Sequence, residues 1–153
     1  MKVYPDIQLY SFEALSVRQL YALLQLRAEV FVVEQRCVYQ DLDGRDKAAL
    51  HILGMSKGRA VLYARILPKG ISYSDYVSIG RVVIAGSHRG MGLGKKLMRY
   101  ALEVSEKHFP GTPIKISAQK HLENFYGGLG FQVIGEPYLE DGIPHIAMVL
   151  GTR

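Results

Sequence analysis

The residues best suited to chemistry form one run, Arg89-Gly90-Met91-Gly92-Leu93-Gly94-Lys95-Lys96, in which three alternate glycines lie among three cations. An apolar stretch, Ile79 to Ala85, precedes the run, and an amphipathic helical pattern follows it. A helix that starts here points free N–H groups and the positive end of its dipole at one spot, and the glycines let the backbone come close to a ligand. Anions suit that spot. The dipole alone contributes about 0.3–2 kcal/mol to a nearby negative charge, so binding must come from several N–H groups acting together. A plain glycine-rich strand-to-helix turn has the same composition, so the loop gains meaning only from its context.

Spacing removes two nucleotide templates. A Walker A loop needs glycine five positions before Gly94 and Ser or Thr after Lys95, but Arg89 and Lys96 stand there. A dinucleotide fingerprint counted from Gly90 or Gly92 puts Lys95 or Leu97 where its last glycine belongs. Neither site is present. The single cysteine, Cys37, has no partner for an internal disulfide and no CxxC or CxxH spacing for zinc, so no metal is expected.

The elements that must position this loop follow from periodicity. With 153 residues, the chain is long enough to bury about two-thirds of its unfolded surface, and a single domain over residues 1–153 is expected. Its 48% hydrophobic and 22% charged content is ordinary for a globular protein, and no apolar run has the length of a membrane span. The start, Met1-Lys2-Val3-Tyr4-Pro5-Asp6, has no signal-peptide core, so a cytoplasmic location without membrane association is expected. The net charge of +5 could suit nucleic acid, but the basic residues cluster only at Arg89–Arg99 and Lys115–Lys120, and neither cluster resembles a nucleic-acid module. No nucleic-acid partner is therefore expected.

Ser16 with Gln19 forms a capping box, and Leu20, Leu23, Leu24, Arg27, Val30 and Phe31 continue at helical spacing, which predicts a helix over Val17–Val33. The polar stretch from Glu34 to Asp46 reads as an irregular loop turning at Asp43-Gly44. Ala48–Ser56 and Arg59–Leu67 form a hairpin around Lys57-Gly58, and Tyr76–Ala85 is the next strand. A helix over Gly92–His108, a strand over Pro113–Ala118, a short helix over Leu122–Leu129 and strands over Phe131–Gly135 and His145–Leu150 complete the chain. The fold class is mixed α/β, with a central, mostly antiparallel sheet of about six or seven strands flanked by helices.

Taken together, the segments resemble the GNAT superfamily of acyl-CoA-dependent N-acyltransferases over nearly the whole chain. Arg89-Gly90-Met91-Gly92-Leu93-Gly94 is similar to that superfamily's Arg/Gln-x-x-Gly-x-Gly/Ala pyrophosphate loop, and Phe125-Tyr126-Gly127-Gly128-Leu129-Gly130-Phe131 to its Phe-Tyr-x-x-x-Gly-Phe motif. Val30-Phe31-Val32-Val33-Glu34-Gln35, Asp41-Leu42-Asp43-Gly44, Ile79-Gly80-Arg81-Val82 and Asp141-Gly142-Ile143-Pro144-His145 resemble its ElaA-like branch. The resemblance implies acetyl-CoA as acyl donor, its pyrophosphate on the amides of Arg89, Gly90, Met91, Gly92, Leu93 and Gly94 with Lys95 beside them. It further implies that the pantetheine arm pairs with the strand edge at Val82, Val83 and Ile84 as an added strand. Those residues must also pack in a core.

By the same resemblance Tyr126 is the acid that serves the leaving thiolate; with an ordinary pKa near 10 it keeps its proton at neutral pH. Leu122, Phe125 and Leu129 share its helical pattern, so packing is the competing role. Gln119 stands where many members have Asn, which keeps an amide on a longer arm for the cofactor, and Asn124 is a weaker alternative. Gly86 stands where proline often precedes the loop. A base must free the amine's lone pair; Glu34, just past the first helix, is the first candidate, with His145, His51, Glu140 and Asp141 as alternatives. Cys37 lacks an activating partner beyond Arg36, so direct attack of the amine is expected rather than a covalent intermediate. The acceptor is an open choice among small-molecule and peptide amines; Asp41, Asp43, Asp46 and Glu34 either favour a cation or are solvated turn formers. A non-catalytic CoA-binding module is the alternative, and a homodimer is possible.

Overall fold

A computed structural model describes residues 4–151, so the first residues of the segment inspected for a signal sequence lie outside it. Strand β1 (Asp6–Ser11) leads to α1 (Val17–Arg27), β2 (Leu50–Ser56), β3 (Arg59–Leu67), β4 (Val77–Ile84), α2 (Leu93–His108), β5 (Ile114–Gln119), α3 (Glu123–Gly127), β6 (Gln132–Glu140) and β7 (Ile143–Leu150). The strands form one seven-stranded sheet in the order β1-β2-β3-β4-β5-β7-β6. Every pairing is antiparallel except that of β4 with β5. No helix among the described residues is long and apolar enough to cross a membrane.

The expected capping box is present, with the Ser16 hydroxyl accepting from the Gln19 amide and the Gln19 side chain accepting from the Ser16 amide. The expected single helix to Val33, however, changes its winding: α1 ends at Arg27 and Ala28–Glu34 is a π-helix. The Gln35 amide reaches the Val30 carbonyl at 3.1 Å and the Cys37 amide the Val32 carbonyl at 3.0 Å, five residues back in both cases. The β-branched run of Val30, Val32 and Val33 crowds an α-helical turn, and the wider turn relieves it. Strand β6 also runs on to Glu140, past the expected end at Gly135, because Gly135–Pro137 form a bulge rather than a terminus.

Two cores sandwich the sheet. One face packs on α2 and α3 through Ile52, Leu62, Ala64, Ile66, Ile79, Leu97, Ile116, Ile146 and Met148; the other packs on α1 through Leu23, Leu26, Leu53, Tyr63 and Val83. Strand β4 carries an extra residue: Tyr63 pairs with Val83, but Arg65 pairs with Gly80. Arg81 takes up the surplus in the left-handed region at φ 53°. The bulge reverses the alternation of faces, so Val82 and Ile84 lean on the α2 core and Val83 on the α1 core.

Candidate functional site

Strands β4 and β5 pair in parallel only at Val77–Ile114 and Ser78–Lys115, and then diverge. The gap beyond opens a cavity of about 540 Å³, lined by Gly80–Ile84 of β4, by Ile116–Gln119 of β5, and by Arg89 and Gly94 near the start of α2. At its mouth Gly92 caps α2 at φ 74°, and Gly90 sits at φ 77°. A Cβ at either would touch nothing within 4 Å, so backbone conformation, not crowding, requires glycine there, and open space lies over the helix N-terminus. A Cβ at Gly94 would lie 3.8 Å from the Phe125 ring, an ordinary contact. Leu93 is buried in the core, so only its amide is available to a ligand, and Lys95 is exposed beside it.

The alternation of β5 and β7 assigns side chains to the two sides of the gap. Ile116, Ala118, Ile146 and Met148 face α2; Ser117, Gln119 and His145 therefore face the other way, and Tyr138 of β6 stands opposite His145. Tyr126 belongs to the α2 side, edge-on to Phe125 at 5.1 Å and to Phe131 at 6.0 Å. It is 7% exposed and lines the cavity. No protein group among the described residues hydrogen-bonds its hydroxyl, and burial pushes its pKa up to about 12.

On the opposite side His145, Glu140, Ser117 and Tyr138 converge. The His145 Nδ1 lies 2.7 Å from the Ile143 carbonyl and so carries its proton there, while Nε2 faces Glu140 Oε2 at 3.3 Å. Ser117 contacts the Tyr138 hydroxyl and reaches Glu140 Oε1 at 3.4 Å, and the Tyr138 ring stacks on His145 at 6.3 Å. Gln119 lines the cavity on this side, with its amide 3.4 Å from Gln35. Asn124 is exposed and outside the lining.

Glu34 takes a different place from the one expected of a base. Its carboxylate holds both guanidinium nitrogens of Arg89, one at 3.0 Å, while Arg89 Nε donates to the Ile84 carbonyl. The bond from Arg89 holds the Glu34 carboxyl below its usual range, and Glu34 does not line the cavity. A carboxylate so engaged is a poor proton acceptor; it fixes the first residue of the glycine loop. His51 is likewise removed from the chemistry. It is fully buried, its Nε2–H donates to the Asp46 carbonyl at 2.8 Å, its Nδ1 accepts from Tyr63 at 2.6 Å, and burial lowers its pKa.

Asp41 and Asp46 of the 34–46 loop are buried, and Asp43, which is exposed and lines the cavity, is held by arginines. They close a ring of alternating charge: Arg27–Asp41 at 2.7 Å, Asp41–Arg81 at 2.7 Å, Arg81–Asp43 at 3.5 Å, Asp43–Arg65 at 2.8 Å, Arg65–Asp46 at 3.0 Å and Asp46–Arg27 at 2.7 Å. Burial opposes the charge on Arg27, but its hydrogen bond to Asp46 and the fields of Tyr63, Asp41 and Asp46 more than reverse this. Burial likewise works against Asp46 and Asp43, and their arginine partners hold both below the usual carboxylate range. The sequence carried one hint of the ring: Arg65 interrupts an otherwise apolar strand, and a charge there needs a partner.

Residues 14–151 match the acetyltransferase (GNAT) domain family. Protein ElaA of Escherichia coli (strain K12) is 52% identical over 136 residues, 88% of each chain. Among solved structures, an acyl-CoA N-acyltransferase from Pseudomonas aeruginosa superposes with a TM-score of 0.91 at 44% identity, covering 96% of this chain and 99% of that one. Escherichia coli ElaA superposes with a TM-score of 0.88 at 47% identity, covering 95% and 99%.

Proposed function

Because the chain belongs to the GNAT acetyltransferase-domain family, whose fold takes acyl-CoA as substrate, we propose that it moves an acetyl group from acetyl-CoA to an amine by direct attack. The observation that carries the reading is the gap between β4 and β5, open to Tyr126 on one side of the sheet and to the His145–Glu140 pair on the other. The donor's pyrophosphate rests on the amides of residues 89–94, beside Lys95, and its pantetheine runs along Val82, Val83 and Ile84, whose peptide groups lost a neighbouring strand where β5 diverged. Gln119 contributes an amide to the same arm.

The amine enters from the His145 side. Its nitrogen lone pair attacks the thioester carbonyl carbon, the C–S bond breaks, and the sulfur leaves as a thiolate toward Tyr126. The amine's proton passes to Nε2 of His145, where Glu140 and the Ile143 carbonyl stabilise the imidazolium that forms. Tyr126 serves the thiolate by donating a hydrogen bond. A phenol at about 12 is a weaker acid than a thiol at about 8.5, so complete transfer to the sulfur is uphill. Incubating the protein with acetyl-CoA and an amine panel, and following free thiol, tests the reading. Thermal stabilisation by CoA without thiol release from any amine would favour a CoA-binding module instead.

A further inference from the structure

The acceptor half of the cavity carries charges that the fold leaves uncompensated. Four arginines line the cavity: Arg45, Arg65, Arg81 and Arg89. Three have carboxylate partners, Arg65 and Arg81 within the charge ring and Arg89 on Glu34. Arg45 has none among the described residues; its guanidinium donates to the Ser72 hydroxyl at 3.0 Å. The adjacent residue, Tyr73, lines the cavity too, and the ammonium of Lys115 lies 4.6 Å from its ring centre and 5.7 Å from that of Tyr76. Lys115 has no carboxylate partner among the described residues either. Two cations thus flank Tyr73 with only a hydroxyl and aromatic faces for company.

Glu140 lines the same cavity as Arg45. It is the opposite case, a cavity-lining carboxylate with no guanidinium or ammonium among the described residues, bonded only to Ser117 and His145. Tyr73 senses both Glu140 and Arg45: burial, then the fields of Tyr138 and Glu140, raise its pKa, and that of Arg45 lowers it. A diamine or polyamine would satisfy Glu140 or Asp141, which lines the cavity too, but would leave Arg45 and Lys115 without a counter-charge. An amine with an anionic end satisfies both sets.

On the acyl-transfer reading above, we infer that the acceptor is an amine that also bears a carboxylate, its nitrogen held at Glu140 and His145 and its carboxylate between Arg45 and Lys115. Ser72 and Tyr73 supply hydroxyls to the same anion, and a planar carboxylate matches the guanidinium fork. Arg45 and Lys115 act on the substrate's far end and take no part in proton transfer.

The test is a panel of proteinogenic and short ω-amino acids, each beside its methyl ester, with phosphoethanolamine and spermidine, assayed with acetyl-CoA for thiol release. At least one free acid is expected to exceed its ester at least tenfold in kcat/KM. Arg45→Gln and Lys115→Gln should each shrink that ratio at least fivefold while KM for acetyl-CoA stays unchanged. Esters or spermidine turning over as well as every acid, or ratios unmoved by either variant, overturn the inference; a preference for phosphoethanolamine overturns the carboxylate assignment. If CoA binds but no amine releases thiol, acyl transfer itself fails, and calorimetric titration of the CoA-bound protein with the same acids and esters decides this point. Tighter binding of an acid than of its ester, lost in Arg45→Gln, supports it, and equal or absent binding refutes it.

Discussion

Tyr126→Phe removes one oxygen and little else. The ring keeps its edge contacts with Phe125 and Phe131, and the lost hydroxyl has no protein partner among the described residues, so the variant should melt at or slightly above the parent's temperature. The catalytic effect follows from the acidity. With the phenol at about 12 and a thiol at about 8.5, full proton transfer would cost about 5 kcal/mol, so in the transition state the hydroxyl acts as a donor to a developing anion. A hydrogen bond to a charged partner contributes about 1.5–3 kcal/mol, and its loss lowers kcat by roughly 10- to 150-fold. The measurement is thiol release under saturating acetyl-CoA between pH 6 and 10, with the melting temperature as control. Because the buried phenol stays protonated across that range, the variant should be slower at every pH without changing the profile's shape. An unchanged kcat, or an alkaline limb at pH 8–9 that disappears in the variant, would refute the reasoning.

Four further outcomes follow. His145→Gln should cut kcat by about 10²–10⁴, the range of a lost proton acceptor, whereas Glu34→Gln should change it less than threefold; the reverse order in side-by-side assays would restore Glu34 as the base. Arg27→Met removes one of the two arginines that hold each of the buried Asp41 and Asp46 and should cost about 3–5 kcal/mol in urea unfolding; a cost below about 1 kcal/mol would mean the ring adds little. Asp43 and Asp46 have depressed carboxyl pKa values, so their stabilisation is complete above the unfolded value of about 3.9 and drains away as pH falls below it. Urea midpoints should therefore hold between pH 7 and 5 and drop below pH 4, and Asp43→Asn should flatten that drop. A Cβ on Gly54 would lie 2.5 Å from Leu62 Cγ, so Gly54→Ala should destabilise by about 1–3 kcal/mol through overpacking, read as a lower melting temperature.

Features encoded by neighbours in sequence could be read in advance. The capping box at Ser16, the two-residue turn at Lys57-Gly58 and the apolar stripe of α2 each lie within a few residues, and each places its element correctly. Features made by distant partners could not. Arg27 and Asp46 are 19 residues apart, Arg81 and Asp41 are 40 apart, and Arg89 and Glu34 are 55 apart. In sequence the aspartates read equally as cation binders and as turn formers, and Glu34 as a base, since Asp and Gly serve turns as readily as ion pairs. The π-winding after Arg27 was hidden for another reason: a run of valines keeps helical spacing for several residues while favouring the wider turn. The bulge at Arg81 had only one local sign, Gly80 inside the strand, and a glycine there fits a regular strand as well.

The ring of three arginines and three aspartates bears on how the cavity can be altered. Its acids lie in one loop, but its cations come from α1, β3 and β4, so the loop behaves less like a replaceable insert than like a keystone cut to three fixed blocks. Grafting residues 37–46 from a relative with another acid pattern would strand buried guanidiniums on the scaffold. If the cavity takes the proposed acceptor, its preference is more readily re-tuned at Arg45, Ser72 and Glu140, which line the cavity and belong to no part of the ring.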